Sequence, residues 1–357
     1  MARKRVIYQS EALFVGPTGT SAEVSGNNKQ LNRVQSVNYN FEIARQDINQ
    51  YGNLAAIDRI ILEQPTVSLD YTYYLNSGEN ETNIGLALGT GDATTQALSH
   101  ILTGRADTDI KNYYIVTSPE GTDANVAGWT TDNAKTIGLG NVNLTSYQIE
   151  ASVGDIPTTT VNAEALNMNF VGGITGVQNP AINPEDGKKA TAGFKLQTPV
   201  SGSGYSALRP GDITVTLASS TLGLDENDIK VQTATVSVEV SREPIQKLGS
   251  RFAFTKEITF PVVATFSVEG IIGDTSAANL ANILDNDQDY TVSITLKKPD
   301  GSGQRALKYT LKKAKLDSQN FSSSIGSNKT VSLQWSTQIG GPNETAVGLF
   351  IDGPEAA

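Results

Sequence analysis

The strongest constraint on this chain is that it states one pattern twice. Residues 34–75 read VQSVNYNFEIARQDINQYGNLAAIDRIILEQPTVSLDYTYYL, and residues 231–272 read VQTATVSVEVSREPIQKLGSRFAFTKEITFPVVATFSVEGII. At a constant offset of 197 positions, Val34, Gln35, Glu42, Arg45, Ile48, Gly52 and Ile61 meet Val231, Gln232, Glu239, Arg242, Ile245, Gly249 and Ile258. The period is far longer than that of a solenoid repeat, so it indicates a duplicated domain. A length of 357 residues agrees, being enough for about two cores.

Within each copy the dominant period is two. Val37, Tyr39, Phe41 and Ile43 fall on one face of an extended segment, and Asn38, Asn40, Glu42 and Ala44 on the other. The second copy alternates Val236, Val238 and Val240 with Thr235, Ser237, Glu239 and Ser241. A further strand sets Val67, Leu69, Tyr71 and Tyr73 against Ser68, Asp70 and Thr72, matched by Ala264, Phe266 and Val268 against Thr265, Ser267 and Glu269. Each copy therefore predicts two strands with one apolar and one polar face. Between them, the break in alternation at Gln46–Gly52 predicts a loop, and Pro244 in the second copy points the same way because proline cannot serve a central strand.

The flanks repeat less faithfully. Residues 5–15 predict a strand, and Gly16 to Asn32 a long Gly/Ser/Asn-rich loop. Helical leanings follow each repeated strand, within residues 79–103 and in TSAANLANILDND, where Leu280, Ile283 and Leu284 form an i, i+3, i+4 stripe behind Thr275 and Ser276. At an offset of 172, Leu144, Ser146, Ser152, Val153 and Gly154 match Leu316, Ser318, Ser324, Ile325 and Gly326; both copies then run through a strand to a glycine pair, Gly172-Gly173 and Gly340-Gly341. The expected division is 1–173 for the first domain, 174–208 for a linker and 209–357 for the second domain, whose first strand begins near Ile213.

Composition narrows the function. With no cysteine the chain can form neither disulfides nor thiolate metal sites, and a single histidine, His100, argues against zinc and imidazole catalysis. No stretch approaches the roughly 18 apolar residues of a membrane span, and MARKRVIYQS lacks a signal peptide's apolar core, so synthesis in a cytoplasm is expected, with no membrane partner. The formal net charge of −10 opposes ordinary nucleic-acid binding, which relies on Lys and Arg to neutralise phosphate. Asp285-Asn286-Asp287-Gln288-Asp289 opens like a calcium loop, but Tyr290 and Leu296 occupy the positions that need glycine and glutamate. Gly85, Gly89 and Gly91 lack the phosphate-loop spacing. Trp129 and Trp335 are expected in a core or interface. No catalytic residue, metal ligand or cofactor is assigned, and the expectation is a structural or binding protein.

The run RKRVIYQSEALFVGP, followed by LNRVQSVNYNFEIARQDINQYGNLAAIDRIILEQPTV, resembles the tail tube proteins of long-tailed bacteriophages, which are related to the inner tubes of contractile injection systems. The resemblance implies a mainly β chain of two tandem tail-tube-like β-sandwich or barrel domains, each with a flanking short α-helix. It implies a virion protein assembled in the cytoplasm of a bacterial host. Its rings would stack around a lumen that conducts genomic DNA without binding it specifically. The implied partners are other copies of itself, the tape measure, the tail terminator, the baseplate or tip, and a sheath where the tail contracts. Two units per chain suggest three chains in a pseudo-hexameric ring, with six chains the alternative if the second unit lies outside.

On this resemblance Asn38, Asn40, Glu42, Ser68, Asp70, Thr72, Thr235, Ser237, Glu239, Thr265, Ser267 and Glu269 face the lumen; on pattern alone they form an ordinary wet sheet face. Arg45, Gln46, Asp47, Asn49 and Arg242 are candidates for subunit contacts, or simply solvated strand ends. Two other assignments stand beside the phage tube: the inner tube of a tailocin or contractile secretion system, and, from another class, a carbohydrate-binding β-sandwich module.

Overall fold

The computed structural model describes residues 11–19, 27–91, 93–103, 109–118, 124, 134–173, 175–183, 187–189, 193–196, 207–217, 228–273 and 288–355. It is mainly β and almost wholly antiparallel. The first half carries β1 (Glu11–Pro17), β2 (Lys29–Gln30), β3 (Val34–Glu42), β4 (Arg45–Ile48), β5 (Asp58–Ile61) and β6 (Thr66–Tyr74). Two short helices follow, α1 (Glu79–Asn83) and α2 (Ser99–Leu102), then β7 (Ile110–Thr117), β8 (Lys135–Ser152), β9 (Thr158–Ala165) and β10 (Asn167–Gly172). After the small hairpin β11 (Thr175–Gln178) and β12 (Gly193–Lys195), the second half carries β13 (Ile213–Thr216), β14 (Ile229–Glu239), β15 (Arg242–Ile245) and β16 (Thr255–Ile258). It ends with β17 (Val263–Ile272), β18 (Tyr290–Lys297), β19 (Arg305–Ser322), β20 (Thr330–Gln338) and β21 (Gly348–Asp352).

One pairing scheme is built twice. In the first unit β3 pairs β6, β6 pairs β9, β9 pairs β8, and β8 pairs β7 and β10, with β1 on β7. In the second unit β14, β17, β20, β19, β18, β21 and β13 repeat this order. Even the irregularities coincide. The register shift at Val34/Ser36 recurs at Val231/Thr233, and that at Leu144/Ser146 recurs at Leu316/Ser318. A bulge leaves a residue unpaired and bends its strand, so matched bulges mean matched curvature.

The long strands β8 and β19 each serve two layers. Lys135–Asn143 of β8 lies with β7 and β10, and Asn143–Glu150 lies with β9. The hand-over occurs beside Asn141, whose φ is 54°; its counterpart Lys313, 172 positions on, has φ 50°. This left-handed conformation is costly for residues other than Gly, Asn and Asp, so its recurrence marks a corner that both units need. The layers then pack face to face, as where Tyr71 of β6 meets Tyr113 of β7 with ring centroids 5.8 Å apart. Burying two such rings contributes on the order of 1 kcal/mol beyond their area.

Several expectations change in detail. The segment from Gln46 to Gly52 is not simply a loop: β4 pairs with β5, and β15 with β16, as two-stranded hairpins. Pro244 is accommodated within β15, opposite Lys256, because a ribbon of two strands offers edges on both sides. The glycine pairs are not equivalent. Gly172 ends β10, the counterpart of β21, whereas Gly340 follows β20, the counterpart of β9.

The stretch 174–208 is tied to the first unit where it is described. Pro180 lies over Gly138 and Gly140 so closely that a Cβ on Gly140 would meet the Pro180 carbonyl oxygen, and Asn112 Nδ2 donates to Asn179 Oδ1 at 2.7 Å. The strand expected near Ile213 is present as β13. The helix expected over TSAANLANILDND, the acidic run 285–287 and Trp129 lie outside the described residues. Trp335 is a core residue beside Phe266, at a centroid distance of 6.0 Å.

Candidate functional surface

The two units are joined edge to edge. Residues Ser146–Ser152 of β8 pair antiparallel with Thr233–Glu239 of β14, which makes one sheet running β3-β6-β9-β8-β14-β17-β20-β19. Two backbone bonds close the ends of the junction, Val153 N–H to Gln232 O at 2.9 Å and Val240 N–H to Thr145 O at 2.7 Å. The apolar sides of all these strands belong to a single core that continues from one unit into the other.

The opposite side of this sheet is polar along the middle of every strand, with Tyr74, Val263 and Ile271 the apolar or aromatic side chains at strand ends. The register sets Asn38 against Asp70, Asn40 against Ser68, Ser36 against Thr72, Thr235 against Ser267, and Ser237 against Thr265. Glu269 stands opposite Thr233, and Glu239 opposite Ser146 across the junction. All twelve sequence-predicted face residues therefore share one sheet surface. What sequence reasoning missed is the part of that surface contributed by β8, β9 and β20: Gln148 and Glu150, Asn162 and Glu164, and Gln334 and Ser336. The signal was present, since β9 alternates Thr160, Asn162 and Glu164 with buried Val161, Ala163 and Ala165.

Short side chains on this face satisfy one another. Ser36 Oγ and Thr72 Oγ1 are 2.7 Å apart, Ser237 Oγ and Thr265 Oγ1 are 2.6 Å apart, and Asn162 Nδ2 donates to Ser146 Oγ at 2.7 Å. Such cross-strand pairs contribute a few tenths of a kcal/mol to about 1 kcal/mol each. The charges are carboxylates on Glu42, Asp70, Glu150, Glu164, Glu239 and Glu269. Lys256 answers Glu164 at 3.1 Å, and Lys315 stands opposite Ser336 at the corner of β19.

The hairpins behave differently from each other. The β15–β16 hairpin lies against the first unit. Arg242 Nη1 donates to Asp109 Oδ2 at 3.2 Å, while Nη2 reaches Oδ1 at 2.5 Å, and both side chains are nearly inaccessible, at 4% and 8%. Desolvation pushes the Asp109 carboxyl above its ordinary value, and the Arg242 charge and hydrogen bond offset part of that rise. Ala253 N–H donates to Gln64 Oε1 at 2.9 Å and fastens the hairpin's far end. Among the subunit-contact candidates, then, Arg242 makes a buried contact between the chain's own units. Arg45, Gln46 and Asp47 lie on β4, exposed throughout, and Asn49 just beyond it is exposed too; Asp47 pairs with Arg59 of β5 at 2.8 Å.

Inside the junction sits a polar network that sequence reasoning did not anticipate. Tyr73 and Tyr147 donate to Glu81 Oε1 at 2.7 and 3.1 Å, and the hydroxyls of Tyr147 and Tyr309 are 2.8 Å apart. Tyr309 belongs to the second unit, so β19 joins α1, β6 and β8 in this network through the Tyr147 hydroxyl. Burial raises the Glu81 pKa above its ordinary 4.5, and the hydrogen bonds from Tyr73 and Tyr147 act against that rise. His100 is exposed on α2.

No family model and no curated protein matches the chain. Among solved structures it is similar to a chain of the cryo-EM structure of the anti-feeding prophage (AFP) baseplate, 6-fold symmetrised. The identity is 12%, the TM-score is 0.28, and the match covers 48% of this chain and 97% of that chain. At that TM-score the likeness establishes neither fold nor role.

Proposed function

We propose that the chain is a structural subunit of a bacteriophage tail tube, forming stacked rings whose lumen conducts the genome during ejection. The observation that carries this reading is the polar face running across both units, on a sheet whose other side packs on a shared core. In a closed ring that face lines the channel. Its groups are hydroxyls, amides and six carboxylates, against Lys256 held on Glu164 and Lys315 at the corner of β19, and the carboxylates in excess repel phosphate within the roughly 8 Å screening length of physiological salt. DNA then passes without adhering. With two units per chain, three chains supply 2 × 3 = 6 units to a ring. The partners follow from the role: other copies of the chain, the tape measure, the terminator and the baseplate or tip. No catalytic step or cofactor belongs to it.

Negative-stain and cryo-electron microscopy of the purified protein and of intact particles provide the test, with rings or tubes of pseudo-sixfold symmetry as the expected result. A stable monomer that binds glycans would support the carbohydrate-binding module instead. For the lumen, changing Glu42, Asp70, Glu239 and Glu269 together to lysine should leave assembly intact and slow DNA ejection. Unchanged ejection kinetics would remove those residues from the channel wall.

A further inference from the structure

The edge that joins the two units inside the chain is present again, unpaired among the described residues, at its outer limits. In the junction, Ser146–Ser152 of β8 pairs with Thr233–Glu239 of β14. By the repeat offsets of 172 and 197, the counterparts are Ser318–Ser324, the end of β19 and the two residues after it, and Ser36–Glu42 of β3. Among the described residues β3 pairs only with β6, and beyond Lys315 β19 pairs only with β20. Free edges of this length are aggregation hazards unless something covers them.

The burial of matched positions shows what is missing. Val238 is 1% exposed and its counterpart Phe41 is 57% exposed; Ile149 is 0% exposed and its counterpart Phe321 is 50% exposed. All four lie on the core side of the sheet, so Phe41 and Phe321 are core residues whose cover is lacking among the described residues of a single chain. We infer that β3 of one copy pairs antiparallel with the end of β19 of a second copy in the register of the internal junction. That register sets Tyr39 opposite Phe321, Asn40 opposite Asn320, and Glu42 opposite Ser318. Because the two edges differ, the contact is head-to-tail and propagates until a ring closes or a filament forms. This deepens the tube reading by naming the partner and the register, and it extends the polar face across each chain boundary.

The chain has no cysteine, so introduced thiols report without background. Directly opposed residues in an antiparallel ladder have Cα separations of about 4.5–5.5 Å, inside disulfide range, whereas residues two positions off lie at about 7–8 Å. Full-length protein carrying Asn40→Cys and Asn320→Cys, oxidised and run without reductant, should lose its monomer band to a covalent ladder that ends at the ring's chain number. Asn40→Cys with Ser322→Cys should cross-link poorly, and each single variant should remain monomeric.

A self-linked Asn40→Cys dimer would overturn the proposal in favour of a symmetric β3–β3 contact. Equal cross-linking by the two double variants would overturn the register. Tubes seen by microscopy without cross-linking would overturn this contact while leaving the tube role standing. Efficient in-register cross-linking without tubes would uphold the contact and count against the tube.

Discussion

Strands β3 and β14 come from one repeated sequence and share a register with their neighbours β6 and β17, yet their surroundings differ. Val236 and Val238 of β14 are 1% exposed, while on β3 Tyr39 is half-buried and Phe41 is 57% exposed. The apolar alternation is the same in both, so composition does not explain the difference. The partner does: β14 has β8 on its free side, whereas β3 has no strand there among the described residues. An edge with a buried-strand sequence and no partner is an interface written in the pattern of a core.

The largest expected effect breaks this comparison at matched positions. Val236→Asp puts an unpaired charge into the core of the junction and should cost about 3 kcal/mol or more, enough to unfold a marginal protein. Tyr39→Asp, the same insertion on the free edge where the ring is half-buried against the core, should lower the monomer's urea midpoint much less than Val236→Asp does while abolishing association by sedimentation. If Tyr39→Asp unfolded the monomer as readily, β3 would be a core strand in the isolated chain.

The two hairpins sharpen the point at a smaller scale. Arg242→Ala strands Asp109 at 8% exposure without its cation and should cost about 3 kcal/mol in chemical denaturation. Arg45→Ala, at the matched position on the exposed β4, should change monomer stability by less than about 0.5 kcal/mol. Replacing both members of the buried pair, with Arg242→Met and Asp109→Leu, should recover much of the loss, because the desolvation cost vanishes with the charges. Failure of that rescue would assign the pair a geometric role in seating β15–β16.

Below these stands Tyr309→Phe. It removes a buried hydroxyl held 2.8 Å from that of Tyr147 and should cost about 1 kcal/mol. Its counterpart in the first unit, Ile137, has no hydroxyl to lose, so this cost belongs to the internal junction alone. A stability unchanged within error would show that the tyrosine pair does not hold the units together.

The sequence made the strand faces of β3, β6, β14 and β17 legible because period-two alternation is local and needs no knowledge of neighbours. The same rule extends to β9, β20 and the second part of β8, which carry the rest of the polar surface described above. The hairpins were hidden for the converse reason: β4 is exposed at every position, so it has no buried side to impose a period. The junction was hidden because Ser146–Ser152 and Thr233–Glu239 read as ordinary strands, and only the fold shows which edge meets which. Arg242 and Arg45 look alike in sequence, and what separates them is Asp109, which lies far away in the chain and comes close only through β7. Glu81 reads as a routine acidic residue in a helix's first turn; its burial follows from three tyrosines on three different strands.

The smallest expected effect concerns that carboxyl. Burial without a cation raises the Glu81 pKa above 4.5, with the tyrosine hydrogen bonds offsetting part of the rise. The folded state therefore keeps a proton that the unfolded chain has already released between pH 4.5 and the raised value. Since stability falls with pH wherever the native state binds more protons, this group's contribution is fully present below pH 4.5 and declines as pH rises through the raised value. Asp109 and Glu11 are raised in the same direction by desolvation, so the wild-type slope is shared among the three. Glu81→Gln keeps an oxygen to accept from Tyr73 and Tyr147 but cannot ionise. Urea midpoints measured from pH 4.5 to 8 should therefore fall less steeply in the variant than in the wild type, and its relative stability should improve toward neutral pH. Parallel slopes would mean that Glu81 reaches water in solution and that the junction opens around it.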